Sequence, residues 1–133
     1  AANLTASFND VYLPAGNYYL TLKHRNSIET WSASTVNING GNVVYNFTTS
    51  ASQAFGNNLI QVDASPVRFG IFSGDVNQDG TVDATDLSAI DNDAAGFIAG
   101  YVVTDLSGDS FVDGTDFAIA DNNAANFVSM IRP

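Results

Sequence analysis

The chain contains no cysteine, a single histidine (His24), and four Lys and Arg residues against fourteen Asp and Glu. Without cysteine there is no disulfide, no thiolate nucleophile and no Cys-based zinc site. One histidine is too few for the ligand sets of zinc hydrolases. The scarcity of basic residues leaves a formal net charge of −10, which repels nucleic-acid phosphates and anionic lipid, so neither is expected as a partner. No apolar run approaches the roughly 18–20 residues that cross a bilayer, and no basic head precedes an apolar centre as in a signal peptide. A soluble chain without membrane insertion is expected, and the start at Ala1 points to a mature form or a fragment. The 133 residues, 45% hydrophobic and 14% charged, describe a folded chain with room for one domain or two small modules.

The charge is unevenly placed. Residues 1–72 carry Asp10, Glu29 and Asp63 against Lys23, Arg25 and Arg68, and are neutral as a whole. Residues 73–133 carry every other carboxylate, all of them aspartate, against Arg132 alone. Such a density opposes compaction unless divalent cations neutralise it. The aspartates fall in a duplicated unit. With an offset of thirty, Asp75–Phe97 aligns with Asp105–Phe127, and Asp75, Asp79, Val82, Asp83, Thr85, Asp86, Asp91, Asn92, Ala94, Ala95 and Phe97 recur in the second copy.

Each copy begins with a twelve-residue stretch that has oxygen donors where an EF-hand loop needs them, at places 1, 3, 5, 7, 9 and 12. In the first loop these are Asp75, Asn77, Asp79, the carbonyl of Thr81, Asp83 and Asp86, with Gly80 at the sharp turn. In the second they are Asp105, Ser107, Asp109, the carbonyl of Phe111, Asp113 and Asp116. Two bound Ca2+ ions are expected. The first is expected to be tighter, because Ser107 supplies a neutral hydroxyl and Ser110 stands in place of the turn glycine. A lone Asp-rich loop is readily a solvated turn, but two in register, each followed by a helix, are not. Val82 is expected to pair with Val112 between the loops. After each loop the pattern becomes helical: Leu87, Ile90, Ala94 and Phe97 form one apolar stripe, and Phe117, Ala120, Ala124 and Phe127 the other. Thr85 and Thr115 are the expected N-caps and Gly96 the expected stop.

The run Gly74-Asp75-Val76-Asn77-Gln78-Asp79-Gly80, followed by Val82-Asp83-Ala84-Thr85-Asp86-Leu87 and repeated thirty residues on, resembles a type I dockerin over residues 73–128. That resemblance implies a non-catalytic module of secreted prokaryotic proteins that binds two Ca2+ and docks onto a cohesin. Where many dockerins carry a Lys-Arg pair on each helix, this chain has Asp91-Asn92 and Asp121-Asn122. The partner expectation therefore includes both a cohesin-like receptor and identical subunits.

Residues 1–72 read as short strands at Leu4–Phe8, Asn17–His24, Thr30–Ile38, Asn42–Thr48, Leu59–Val62 and Val67–Phe72, separated by Gly- and Asn-rich turns. The stretch Phe8–Leu22 resembles the middle of prealbumin-like Ig sandwiches, and Lys23–Trp31 resembles a segment found beside dockerin-like repeats of bacterial surface proteins. The expected fold is thus α+β, with an Ig-like antiparallel sandwich over 1–72 and a dockerin-like pair of loop–helix units over 73–133. Against those sandwiches the chain begins late, leaving an edge for a strand donated by a second copy. Tyr18, Tyr19, His24 and Trp31 could stack on a sugar, which makes a carbohydrate-binding module the alternative reading, although aromatics in alternating strands are more often packing. His24 has no nucleophile partner, and paired carboxylates for glycoside hydrolysis are better explained as cation ligands, so an enzyme is not expected. Asn3 and Asn46 head glycosylation sequons. The expected role is a non-catalytic, extracellular or cell-surface, calcium-binding module for protein–protein assembly, by surface attachment or as a homopolymeric filament.

Overall fold

A computed structural model describes residues 13–133. The strand expected at Leu4–Phe8 and the sequon at Asn3 lie outside the described residues. Within them the chain forms β1 (Gly16–Tyr18), β2 (Thr21–His24), β3 (Ser27–Trp31), β4 (Val36–Ile38), β5 (Ile60–Ala64), β6 (Val67–Gly70), α1 (Ala84–Ala95) and α2 (Gly114–Ala125). The mixture is α+β. In place of two packed sheets, the described strands form three two-stranded antiparallel ribbons: β1 with β4, β2 with β3 and β5 with β6.

The first two ribbons are one long hairpin broken in the middle. Tyr18 faces Val36 and Thr21 faces Trp31, so the returning arm carries extra residues around Ser32. Ser32 explains the break. Its N–H donates to the Leu20 carbonyl at 2.8 Å, while its Oγ accepts from the Leu20 N–H at 3.0 Å and donates to the Ser34 carbonyl at 2.8 Å. The hydroxyl takes over ladder positions, and what read as one strand over Thr30–Ile38 becomes two. The strand expected at Asn42–Thr48 does not form. Asn46 Oδ1 accepts from the Thr48 N–H at 2.8 Å and its hydroxyl at 2.7 Å, a local turn that outcompetes extended pairing.

Hairpin and repeats share one core. Ile28 of β3 is fully buried with Val76, Val82, Ile90, Val112, Ala120 and Val128, flanked by Phe72, Leu87 and Phe117. The junction is sewn by the Ile28 N–H to the Phe72 carbonyl (3.0 Å) and the Gly74 N–H to the Asn26 carbonyl (2.7 Å). Gly74 is required there. Its φ is +124°, and an added Cβ would lie 2.7 Å from Val82 Cγ1.

The two loop–helix units are related as a pair that closes on each other. Val82 does not pair with Val112. Instead the Val82 N–H donates to the Val128 carbonyl beyond α2 (2.9 Å), and the Val112 N–H donates to the Ile98 carbonyl beyond α1 (3.0 Å). Each loop is thus bridged by the exit of the opposite helix. The helices also hold the chain where it enters the loops. Asp93 Oδ2 accepts from the Thr104 hydroxyl at 2.6 Å, and the Asn123 amide donates to the Ser73 carbonyl at 2.6 Å.

The helix starts depart from expectation, while α1 stops at Gly96 as expected. The N-caps are Asp83 and Asp113, each accepting from an N–H two residues on at 2.7 Å, with Asp86 and Asp116 completing capping boxes. Aspartate out-competes the neighbouring threonine because an ionised acceptor on the positive helix end is the stronger cap. Gly96 is the C-cap of α1, but the left-handed residue is the next one, Phe97, matched by Phe127. That conformation swings both rings out of their stripes: Phe97 is 90% and Phe127 88% exposed, while Ile90 and Ala120 fill the core.

Candidate metal centre

Both loops have the same burial profile. The residues at places 1 and 12 are buried, Asp75 with Asp86 and Asp105 with Asp116, and the residues between them at places 3, 5, 7 and 9 are exposed. The twelfth place ties the loop to its helix. Asp86 Oδ1 accepts from the Val76 and Asn77 N–H groups (2.9 and 3.2 Å), and its Oδ2 from the Asp83 N–H (3.0 Å). Asp116 repeats the pattern with Leu106, Ser107 and Asp113 at 2.8, 2.8 and 2.9 Å. The first place gathers the turn. Asp75 accepts from the N–H groups of Asp79 (3.1 Å) and Gly80 (3.0 Å), and Asp105 from those of Gly108 (2.8 Å) and Ser110 (3.2 Å).

The side chains of the expected donors are engaged within each loop, mostly by its own N–H groups. Asp79 and Asp109 accept from the N–H two residues on, at Thr81 and Phe111, and the Asn77 amide donates to Asp79 at 2.9 Å. Among the described residues no three His, Asp or Glu side chains converge on one point.

The donor chemistry nevertheless fits a hard cation in the first loop. Among the described residues neither Asp75 nor Asp86 has a cationic partner, and both are buried. Burial pushes the Asp75 carboxyl above the ordinary carboxylate value. The charges of Asp86 and Asp79 push the same way, against donation from the Gly80 and Asp79 N–H groups. Lys23 and Arg132 come near, but both bind Glu29, at 2.7 and 3.3 Å, and Lys23 holds that carboxyl below its ordinary value. In the second loop burial would raise Asp116 too, but donation from Asp113, Ser107 and Leu106 outweighs it and holds the carboxyl low.

The strain expected at Ser110 is present, with φ +73° where Gly80 has +94°. It has a mirror in the first loop. Gln78 sits at φ +61° where the second loop has Gly108 at +79°, so each loop carries one glycine and one strained residue at these two places. The alignment of Gln78 with Gly108 held that information, and reading only the turn glycine missed it.

The sequence reading also missed Arg25 and Asn26. The tip between β2 and β3 reaches the second loop, where Arg25 Nη2 and the Asn26 amide both donate to the Asp105 carbonyl at 3.0 Å. Arg25 lies in the only basic cluster of its half, Lys23-His24-Arg25, but nothing local points that cluster at a loop eighty residues away.

Of the residues weighed for sugar stacking, Tyr18 donates its hydroxyl to the Pro14 carbonyl at 2.9 Å, His24 Nδ1 lies 2.9 Å from Asn26 Oδ1, and Tyr19 and Trp31 pack together. Tyr19 meets Trp31 and Phe55 edge to face at 6.0 and 6.3 Å, and Trp31 Nε1 donates to Glu29 at 2.6 Å.

Residues 73–124 match the family model of the dockerin type I domain. This is a non-catalytic, calcium-binding family of protein–protein assembly modules, typically extracellular or cell-surface, whose usual partners are cohesins. Comparison with curated proteins and with solved structures returns no match.

Proposed function

We propose that residues 73–133 hold two Ca2+ ions, one in each loop, and that the module so stabilised presents a protein-docking surface outside the cell. The first ion would be held by Asp75, Asn77, Asp79, the Thr81 carbonyl, Asp83 and Asp86. The second would be held by Asp105, Ser107, Asp109, the Phe111 carbonyl, Asp113 and Asp116. What carries the reading is the pair of buried carboxylates Asp75 and Asp86, without a cationic partner among the described residues, at the two ends of a loop within the dockerin-matching segment. Calcium there supplies the positive charge that those groups lack. The protein's own contribution is to hold the ends of each loop at a helix N-terminus, while the exposed middle donors would exchange their N–H partners for the ion.

The first loop should be the tighter. Glycine placement does not separate the two, since strain is shared evenly, but Asn77 against Ser107 and the presence of Arg25 beside Asp105 do. Residues 1–72 would serve as the joined companion module, locked on by Ile28.

The partner in this reading is a protein receptor of the cohesin kind. Among the described residues nothing supports a filament built by strand addition. Among them, too, no helix is long and apolar enough to cross a membrane. Calorimetric titration with calcium should show two sites. An isotherm without binding overturns the proposal. Sizing with and without chelator checks the partner: a monomer in both fits an external receptor, and calcium-dependent self-association would point to identical subunits instead.

A further inference from the structure

We propose that Arg25 is a tethered counter-cation of the second loop: it lowers that loop's affinity for calcium, and calcium there in turn loosens the hairpin tip. This rests on the two-site reading above. The geometry is asymmetric between the copies. Arg25 Nη2 lies 3.8 Å from Asp105 Oδ2 and 3.0 Å from the Asp105 carbonyl, at the first ligand place of the second loop. At the matching place in the first loop the Asp75 carbonyl accepts from a neutral amide, Gln78 Nε2, at 2.6 Å, and the carboxylate has no cation among the described residues.

Arg25 is also well shielded. Its side chain is 18% exposed, and its guanidinium lies 3.8 Å over the Tyr101 ring, which covers it from solvent. A charge so placed is weakly screened, and a divalent ion entering the loop meets it at close range. The arginine is held by charge and stacking more than by saturated hydrogen bonding, since Nε and Nη1 are buried without a partner among the described residues. Such a group gives way when its counter-charge is taken by another cation. Because coupling between two binding events is reciprocal, whatever Arg25 takes from calcium affinity, calcium takes from the docking of the tip.

The test is calcium titration of the full chain by calorimetry in wild type, Arg25→Met and Arg25→Lys. Asp109→Ala, exposed and away from the hairpin contact, marks which phase belongs to the second loop. Arg25→Met keeps the stem over Tyr101 but removes the charge, and should tighten the second phase about tenfold while leaving the first within about twofold. Arg25→Lys should stay close to wild type in both phases. A second phase unchanged or weakened in Arg25→Met overturns the proposal, as does an equal shift in both phases. In wild type, the Tyr101 ring resonances should move as the second site fills and stay still as the first fills. A Tyr101 signal indifferent to second-site filling also overturns it, whether or not the variants fold. If wild type binds no calcium, the two-site reading itself falls and this inference with it; if calcium binds twice and only the Arg25 effects are missing, this inference falls alone.

Discussion

The two loops share their sequence pattern, their burial profile and nearly every hydrogen bond at places 1 and 12, yet their electrostatic surroundings differ. The first keeps two buried carboxylates that have no cationic partner among the described residues. The second has one of its pair against Arg25, a residue from outside the duplicated segment. Duplication copies a site's ligands, but the rest of the chain is not duplicated. The field at each copy is therefore set by whichever non-repeated residues fold against it.

The largest expected effect tests whether both loops are metal sites at all. Free calcium a thousandfold above a site's Kd stabilises by about 4 kcal/mol per site. Chelation should therefore lower the melting temperature by well over ten degrees if both are filled, and by about half as much in Asp109→Ala. A melting curve indifferent to chelator would remove the premise of the comparison.

Next comes the closing aspartate, where the loops should behave alike. Asp86→Ala and Asp116→Ala each leave three N–H groups without their acceptor, two at the loop start and one at the helix N-cap. A buried orphaned group costs about 1–3 kcal/mol and these are mostly part-buried, so each substitution should cost about 2 kcal/mol by denaturant unfolding, even in chelator. A loss seen only with calcium would mean that the tie to the helix matters little.

Asp75 should behave in the opposite sense with and without metal. Its carboxyl is raised, so the metal-free folded state takes up a proton before the unfolded chain does, and stability is gained as pH falls through that raised value. Asp116 is lowered. Its contribution is present above the ordinary carboxylate value and lost as pH falls through the depressed one. In chelator, mild acid should therefore stabilise through Asp75 before stronger acid destabilises through Asp116. Asp75→Asn should abolish the first step and unfold at higher denaturant than wild type in chelator, but at lower denaturant in calcium. Equal behaviour in both buffers would contradict an uncompensated charge at Asp75.

The smallest effect separates the strained residues. Ser110→Gly should gain up to about 1 kcal/mol. Gln78→Gly should gain less or lose, since the Gln78 side chain also donates to the carbonyls of Asp75 and Ser27, at 2.6 and 3.3 Å. Matched gains would show that those two bonds contribute little.

Much of the repeat half was legible because its signals are local. The offset of thirty, the spacing of Asp75 to Asp86 and the stripe through Ile90 and Ala120 depend on residues within a few turns of one another. The misreading there was a competition between near neighbours, Asp83 capping in place of Thr85, while Gly96 stops α1 as expected. The N-terminal half was less legible because its breaks come from side chains that imitate backbone: Ser32 in the hairpin and Asn46 in the segment expected as a strand. Hardest to read was what joins the halves. Arg25 meets Asp105 and Ile28 meets Val76 only after the chain has folded, and no periodicity records a contact of that range.

The crossed bridging of the loops bears on where the chain can be cut and how it bears load. The first loop is closed by residues that follow α2: the Met130 N–H donates to the Gly80 carbonyl at 2.7 Å, and Val128 accepts from Val82. A fragment ending at residue 124, where the family match stops, would keep all twelve expected ligand positions yet lose that clasp. The earlier loop in the chain is thus closed only once residues 128–130 are in place, while the later one is clasped by Ile98, which precedes it. Tension applied to the chain beyond Met130 would pull on the Met130 and Val128 clasp of the first loop before it reached the Ile98 clasp of the second.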